Sequence, residues 1–262
     1  MQEYLDICEK AVRAGGAVVQ DWVGRFEVSK KGPADLVTQA DLASQQEIRR
    51  ILLDAYPDHC MLGEEADTSD EPSPTDRATA ERTEYRWIVD PLDGTTNYAH
   101  HVPHYCVSLA LQRNDELLVG AVFDPMSNEC YMASAGGGAC LNGREIHTSQ
   151  VSELSESLAV VGFPPNVTME SPDLLVFLEA VQQCQAIRRT GSAALNLCYL
   201  AAGRFDVFWS FATKIWDVAA GVLIIREAGG VVTAPEGGDF ILEEARFLAA
   251  ANRPLHADLL EL

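Results

Sequence analysis

An apolar segment that ends in two aspartates, a glycine and two threonines limits this chain more than any other stretch of it. The run is Trp87-Ile88-Val89-Asp90-Pro91-Leu92-Asp93-Gly94-Thr95-Thr96-Asn97-Tyr98. Its first half reads as a buried strand, Pro91 fixes the backbone between the acids, and Gly94 allows a sharp bend before a helix near Thr95. Two carboxylates delivered at one turn suit a hard divalent cation, and the unsatisfied N–H groups of the helix that follows suit a phosphate. Taken alone, an Asp-x-x-Asp is most often a capped turn, because aspartate satisfies local N–H groups. A metal centre needs further acids.

The chain supplies them on both sides. Gly63-Glu64-Glu65 follows a helix and a short apolar run, with Glu64 the better ligand and Glu65 a supporting or solvated acid. Trp216-Asp217-Val218-Ala219-Ala220-Gly221 opens an apolar helix that the glycines after Glu227 stop. Asp41 reads first as the N-cap of a helix over 42–55, with Leu42, Gln45, Ile48, Leu52 and Ala55 as its apolar stripe.

In this order, and with Val37-Thr38-Gln39-Ala40-Asp41 ahead of them, these motifs resemble the inositol monophosphatase family from about Lys30 to Gly230. The resemblance implies a layered α-β-α-β-α sandwich of the inositol monophosphatase and fructose-1,6-bisphosphatase type. It implies two or three Mg²⁺ ions: one held by Glu64, Asp90 and the Leu92 carbonyl, a second by Asp90, Asp93 and Asp217, and a weaker third at Glu64. Glu64, Thr95 and Asp41 form the implied catalytic set, with Thr95 orienting a water and Asp41 as its partner. Implied substrate contacts are Asp93, the Gly94 and Thr95 N–H groups, Gly191, Ser192 and Ala193, Lys30 on a loop, and Ser210. The family's inositol-selective members carry a glutamate where this chain has Ser210, a difference that removes a strong hydroxyl acceptor, whereas Gly191-Ser192-Ala193 matches the family's second substrate-contacting stretch; on that match inositol 1-phosphate or a related polyol or sugar phosphate leads over histidinol phosphate, fructose 1,6-bisphosphate and a 3′-phosphoadenosine nucleotide. Lithium sensitivity and a homodimer are family expectations as well.

Two readings lie outside that mechanism. Asp93-Gly94-Thr95 also ends the motif of haloacid-dehalogenase-like phosphatases, but their paired acids stand two positions apart and these stand three. A metal-binding regulator without turnover is the other, and the presence of Thr95 and Asp41 beside the acids argues against it. His100, His101 and His104 lack cysteine partners at zinc-finger spacing and read as structural. Gly136-Gly137-Gly138 has no following Gly-Lys-Ser or Gly-Lys-Thr and reads as a hairpin turn.

Charge and composition set the remaining limits. A net charge of −20 opposes binding to nucleic acid or anionic membranes. The seven scattered cysteines read as reduced thiols of a cytoplasmic protein. No signal peptide or membrane-spanning run is visible in the sequence. The chain divides into an N-terminal α+β half, 1–152, and a C-terminal α/β half, 153–262. Strands are expected at 87–89, 105–113, 117–123, 129–133, 158–163, 188–190, 205–209 and 230–233. Helices are expected from Ser171, carrying Leu174, Leu178 and Val181, and over 192–202. Residues 66–84 read as an exposed acidic loop.

Overall fold

The computed structural model describes residues 1–26, 28–32, 35–65, 84–164 and 166–262, the side chains at 28, 30–32, 35 and 36 excepted. The expected loop over 66–84 falls almost wholly outside the described residues, and so does the side chain of Lys30.

Seven strands form the first sheet: β3 (Cys60–Gly63), β4 (Tyr85–Asp93), β5 (Cys106–Arg113), β6 (Glu116–Asp124), β7 (Glu129–Ser134), β8 (Gly138–Leu141) and β9 (Arg144–Glu145), side by side in that order. All neighbours are antiparallel except β3 and β4. Alternate residues of β4 point to opposite faces, and both faces are covered. Trp87 and Val89 pack with Cys8, Val12, Ile48 and Leu52 of α1 (Gln2–Trp22) and α2 (Gln39–Ala55). Ile88 packs on the opposite face against α5 (Ala193–Ala201) and α6 (Ile215–Glu227). This double coverage is why the segment reads as unbroken apolar sequence. A small antiparallel hairpin, β1 (Val28–Gly32) and β2 (Asp35–Thr38), leads into α2.

The second sheet has the order β11 (Ala186–Arg188), β10 (Leu158–Val161), β12 (Val207–Ser210), β14 (Phe247–Ala250) and β13 (Val231–Thr233). Val160, Phe208, Phe247 and Ala249 face α5 and α6. Ala159, Val161, Val207, Trp209 and Leu248 face α4 (Pro172–Gln183) and α7 (Arg253–Leu260). The layers therefore run helix, sheet, helix, sheet, helix, as the resemblance implied. The short α3 (Thr95–Ala99) sits between β4 and β5. The middle layer is one apolar cluster drawn from both sheets, so α5 and α6 cement the two halves.

Several elements differ from the sequence reading. Helix α2 starts three residues early: Thr38 is its N-cap and Asp41 is the third helical residue of a capping box. Helix α4 buries Asp173 and Ala180 and turns Val176 and Phe177 inward, while Leu178 and Val181 stand 44% and 54% exposed. Two apolar stripes compete on that helix, and the one docked on the sheet is the one that lets Asp173 accept the Phe211 N–H (2.7 Å). Strand β11 lies two residues before its expected place, and β14 and α7 had left no expectation. The glycine run does turn a hairpin between β7 and β8. All seven cysteines are free thiols, and among the described residues no helix is long and apolar enough to cross a membrane.

Candidate metal centre

A bulge makes the paired aspartates useful. Asp90 pairs with Ser108 and Asp93 with Cys106, so three steps along β4 oppose two along β5. In a regular strand, residues three apart point to opposite faces; the extra residue turns both acids towards the α5–α6 side. Leu92, between them, is fully buried. Gly94 then adopts a left-handed conformation (φ 94°), and a Cβ there would stand 3.0 Å from the His104 carbonyl.

Glu64 arrives by strand register. Gly63 is level with Val89 in the parallel β3–β4 pair, so Glu64 comes next to Asp90, and its N–H donates to the Val89 carbonyl (3.1 Å). Asp217 arrives as the third residue of α6, where its Oδ2 accepts the Lys214 N–H (2.8 Å). Asp217 and Asp90 stand close enough to influence one another's protonation. Burial and then the neighbouring acids Glu64, Asp93 and Asp217 push Asp90 well above the usual carboxylate range. Burial and the Asp93 charge push Asp217 up to about 8.

Asp93 is held differently. Its Oδ2 accepts the Ser192 hydroxyl (2.6 Å) and the Ala194 N–H (2.7 Å), with the Ala193 N–H also contributing, so its carboxylate sits on the N-terminus of α5. These donors offset part of the upward push of burial. Ser192, Ala193 and Gly191 are thus brought to the site. The left-handed Gly191 (φ 95°) packs where a Cβ would meet the Asn97 amide at 2.9 Å.

Helix α2 supplies side chains that hold the backbone and the hydroxyl next to the acids, and the sequence reading largely missed them. Asp41 Oδ2 accepts the Thr38 N–H (2.8 Å) and hydroxyl (2.6 Å), and Asp41 Oδ1 faces the Thr95 hydroxyl (3.3 Å). Burial pushes Asp41 up to about 6 against the pull of the Thr38 bonds. One turn on, the Ser44 hydroxyl donates to the Pro91 carbonyl (3.0 Å), and Gln45 clasps the Glu65 backbone at both N–H (3.1 Å) and C=O (2.6 Å). Asp41, Ser44 and Gln45 are spaced i, i+3, i+4 and buried, a polar face in an otherwise apolar stripe. That pattern was the available signal. Asn97 was missed as well: its amide donates to the His104 and Thr190 carbonyls (both 2.8 Å) and ties the two halves together.

Other expected site residues sit apart. Ser210 is buried, and its hydroxyl donates to the Gly162 carbonyl (3.2 Å) at the end of β12; none of its hydrogen bonds reaches the acids. Glu65 is buried behind Glu64. Among the described residues, no three His, Cys, Asp or Glu side chains already stand at ready-made ion-cage spacing. The four acids nevertheless act on one another electrostatically, Glu64, Asp93 and Asp217 raising Asp90, and Asp93 and Glu64 raising Asp217. An oxygen-only set of acids fits hard divalent ions.

A five-layer sandwich with an acidic cluster where β3, β4 and the start of α6 meet defines a class of metal-dependent phosphatases. The model of the inositol monophosphatase family matches residues 1–262. The chain belongs to that family, whose members act on small phosphate esters. It is 44% identical over 243 residues to an inositol-1-monophosphatase of Rhizobium meliloti, covering 91% of this chain and 88% of the relative. It is also 39% identical to the Nus factor SuhB of Pseudomonas aeruginosa, covering 97% and 93%. Among solved structures, the inositol monophosphatase of Anabaena superposes with a TM-score of 0.83 at 37% identity, covering 100% of this chain and 94% of that one.

Proposed function

We propose that this protein hydrolyses a small phosphate monoester with Mg²⁺, by in-line attack of water and without a phosphoenzyme. The observation that supports the reading is the gathering of Glu64, Asp90, Asp93 and Asp217 into one mutually interacting acidic group, with the Thr95–Asp41 pair beside it. Those acids and the Leu92 carbonyl, which now accepts the Thr95 hydroxyl (3.0 Å), would hold two or three ions. Bound Mg²⁺ would supply positive charge to the phosphoryl oxygens and a more acidic water.

The protein's own groups do the rest. The Thr95 hydroxyl takes a proton from the attacking water as its own passes to Asp41 Oδ1, and a carboxylate near pH 6 is well placed to receive it. Backbone N–H groups of Gly94 and Thr95, at the start of α3, receive phosphoryl oxygens. Inositol 1-phosphate or a related polyol or sugar phosphate is the leading substrate, supported by the name of the 44% identical relative. The other esters weighed from the sequence remain in the test set. The working protein is read as a cytoplasmic homodimer, with Lys30 near the substrate.

A phosphate-release assay with Mg²⁺ over polyol, sugar, amino-alcohol and nucleotide monoesters tests this directly. Turnover of at least one ester that disappears with chelator is expected. Silence across the panel removes the enzyme reading. Trapping an acid-labile phosphate on Asp90 or Asp93 would instead place the chemistry with the aspartyl-nucleophile phosphatases.

A further inference from the structure

We infer that Ser192 is a positioning residue for Asp93: its hydroxyl holds one carboxylate oxygen against helix α5 so that the other is presented to the metal centre. The inference rests on the proposed function and assigns a role to a side chain that looks from the sequence like a substrate contact.

The geometry is a short relay. The Leu195 N–H donates to Ser192 Oγ (3.2 Å), and Ser192 Oγ donates its only proton to Asp93 Oδ2 (2.6 Å). The same oxygen takes the Ala194 N–H (2.7 Å), and the Cys106 thiol lies 3.9 Å from it. Ser192 is 1% exposed, and Cys106 is fully buried at 3.7 Å from the Ser192 hydroxyl. A hydroxyl that has spent its proton on a buried carboxylate has only acceptor capacity left for a substrate. The Ser192 hydroxyl and the Ala194 N–H both go to Oδ2, so Oδ1 is assigned to the metal centre, where Asp93 already acts electrostatically on Asp90 and Asp217. Rotating Asp93 out of this pose would cost the helix-terminal bonds and the hydroxyl bond together. The hydroxyl also joins α5, in the second half of the chain, to β4 in the first. Partners that orient a metal-binding carboxylate typically contribute about 10–100-fold in metal affinity or activity.

The test is direct Mn²⁺ and Mg²⁺ titration by calorimetry, with phosphate-release kinetics as a second readout, on the wild type and on Ser192→Ala, Ser192→Thr and Ser192→Gly. Ser192→Gly is included because glycine is well tolerated at an N-cap, so it removes the hydroxyl while sparing the helix. About tenfold weaker Mn²⁺ binding is expected in Ser192→Ala and Ser192→Gly. Their ester KM should stay within about twofold at saturating metal, and Ser192→Thr should recover most of the loss. Metal affinity within twofold of wild type in a folded Ser192→Gly protein overturns the inference. A rise in ester KM with unchanged metal affinity would do so too, returning Ser192 to substrate contact. A wild type that binds no divalent ion would instead defeat the proposed function itself.

Discussion

Replacing Asp217 by asparagine should make the metal-free protein more stable while depriving it of its response to Mg²⁺. Without metal, the folded chain holds a proton on Asp217 up to about pH 8, against an ordinary aspartate value of 3.8. Keeping that proton at pH 7 corresponds to about 4 kcal/mol at 1.36 kcal/mol per pH unit. Partial solvent contact of Asp217 reduces the recoverable part to about 1–2 kcal/mol. Asparagine keeps an oxygen for the Lys214 N–H and gains an amide donor towards Asp90, so no bond is lost in exchange. For a chain of this size, each kcal/mol moves Tm by about 2–4 °C, so a rise of about 2–8 °C in chelator is expected. The pH dependence carries the same sign. The native state holds the proton more tightly than the unfolded chain, so the stability of the metal-free wild type falls as pH rises from about 4 to 8. Asp217→Asn should flatten that slope. Thermal melts across this range, with chelator and then with Mg²⁺, measure both effects. An unchanged or lower metal-free Tm, or a Mg²⁺-induced rise equal to that of wild type, refutes the argument that repulsion among these acids is what an ion relieves.

Other substitutions probe the supports of the site. Gly63→Ala would place a Cβ 2.2 Å from Gln45 Oε1 and break its clasp on Glu65; we expect a loss of about 1–3 kcal/mol and at least tenfold in phosphate release, and wild-type melting would show that the clasp is dispensable. Thr95→Val should lower kcat by about 100-fold or more while Mn²⁺ binding stays near wild type, and full activity would remove Thr95 from the proton path. Gly120→Val drives side-chain atoms into α6, because even a Cβ at Gly120 would stand 3.0 Å from Ala220 Cα and carbonyl oxygen; the expected cost is about 1–3 kcal/mol of stability, read by urea unfolding, and an unchanged midpoint would show that the helix yields freely. Asn97→Ala, which releases the His104 and Thr190 carbonyls, should weaken substrate binding and lower Tm together; an unchanged KM would confine Asn97 to a structural tie.

The linear chain determined by itself the elements with strong local signatures. The apolar run of β4 with its two acids, the Gly63-Glu64 and Trp216-Asp217 motifs, the turn at Gly94 and the α5 helix from Ser192 are written in short-range residue order, and the structure places them where that order puts them. Tertiary packing decided the features that local order leaves degenerate. Helix α4 offered two apolar stripes, and docking on the second sheet chose the one with Phe177 and Ala180. The bulge that brings Asp90 and Asp93 to one face exists only in register with β5. The polar face of α2 acquires meaning only when Pro91, Thr95 and Glu65 lie against it. The Asp93 carboxylate finds Ser192 across 99 residues of chain. Local sequence fixes backbone preference and side-chain chemistry, but which side chain meets which depends on contacts between segments far apart in the chain, and only the assembled layers create those.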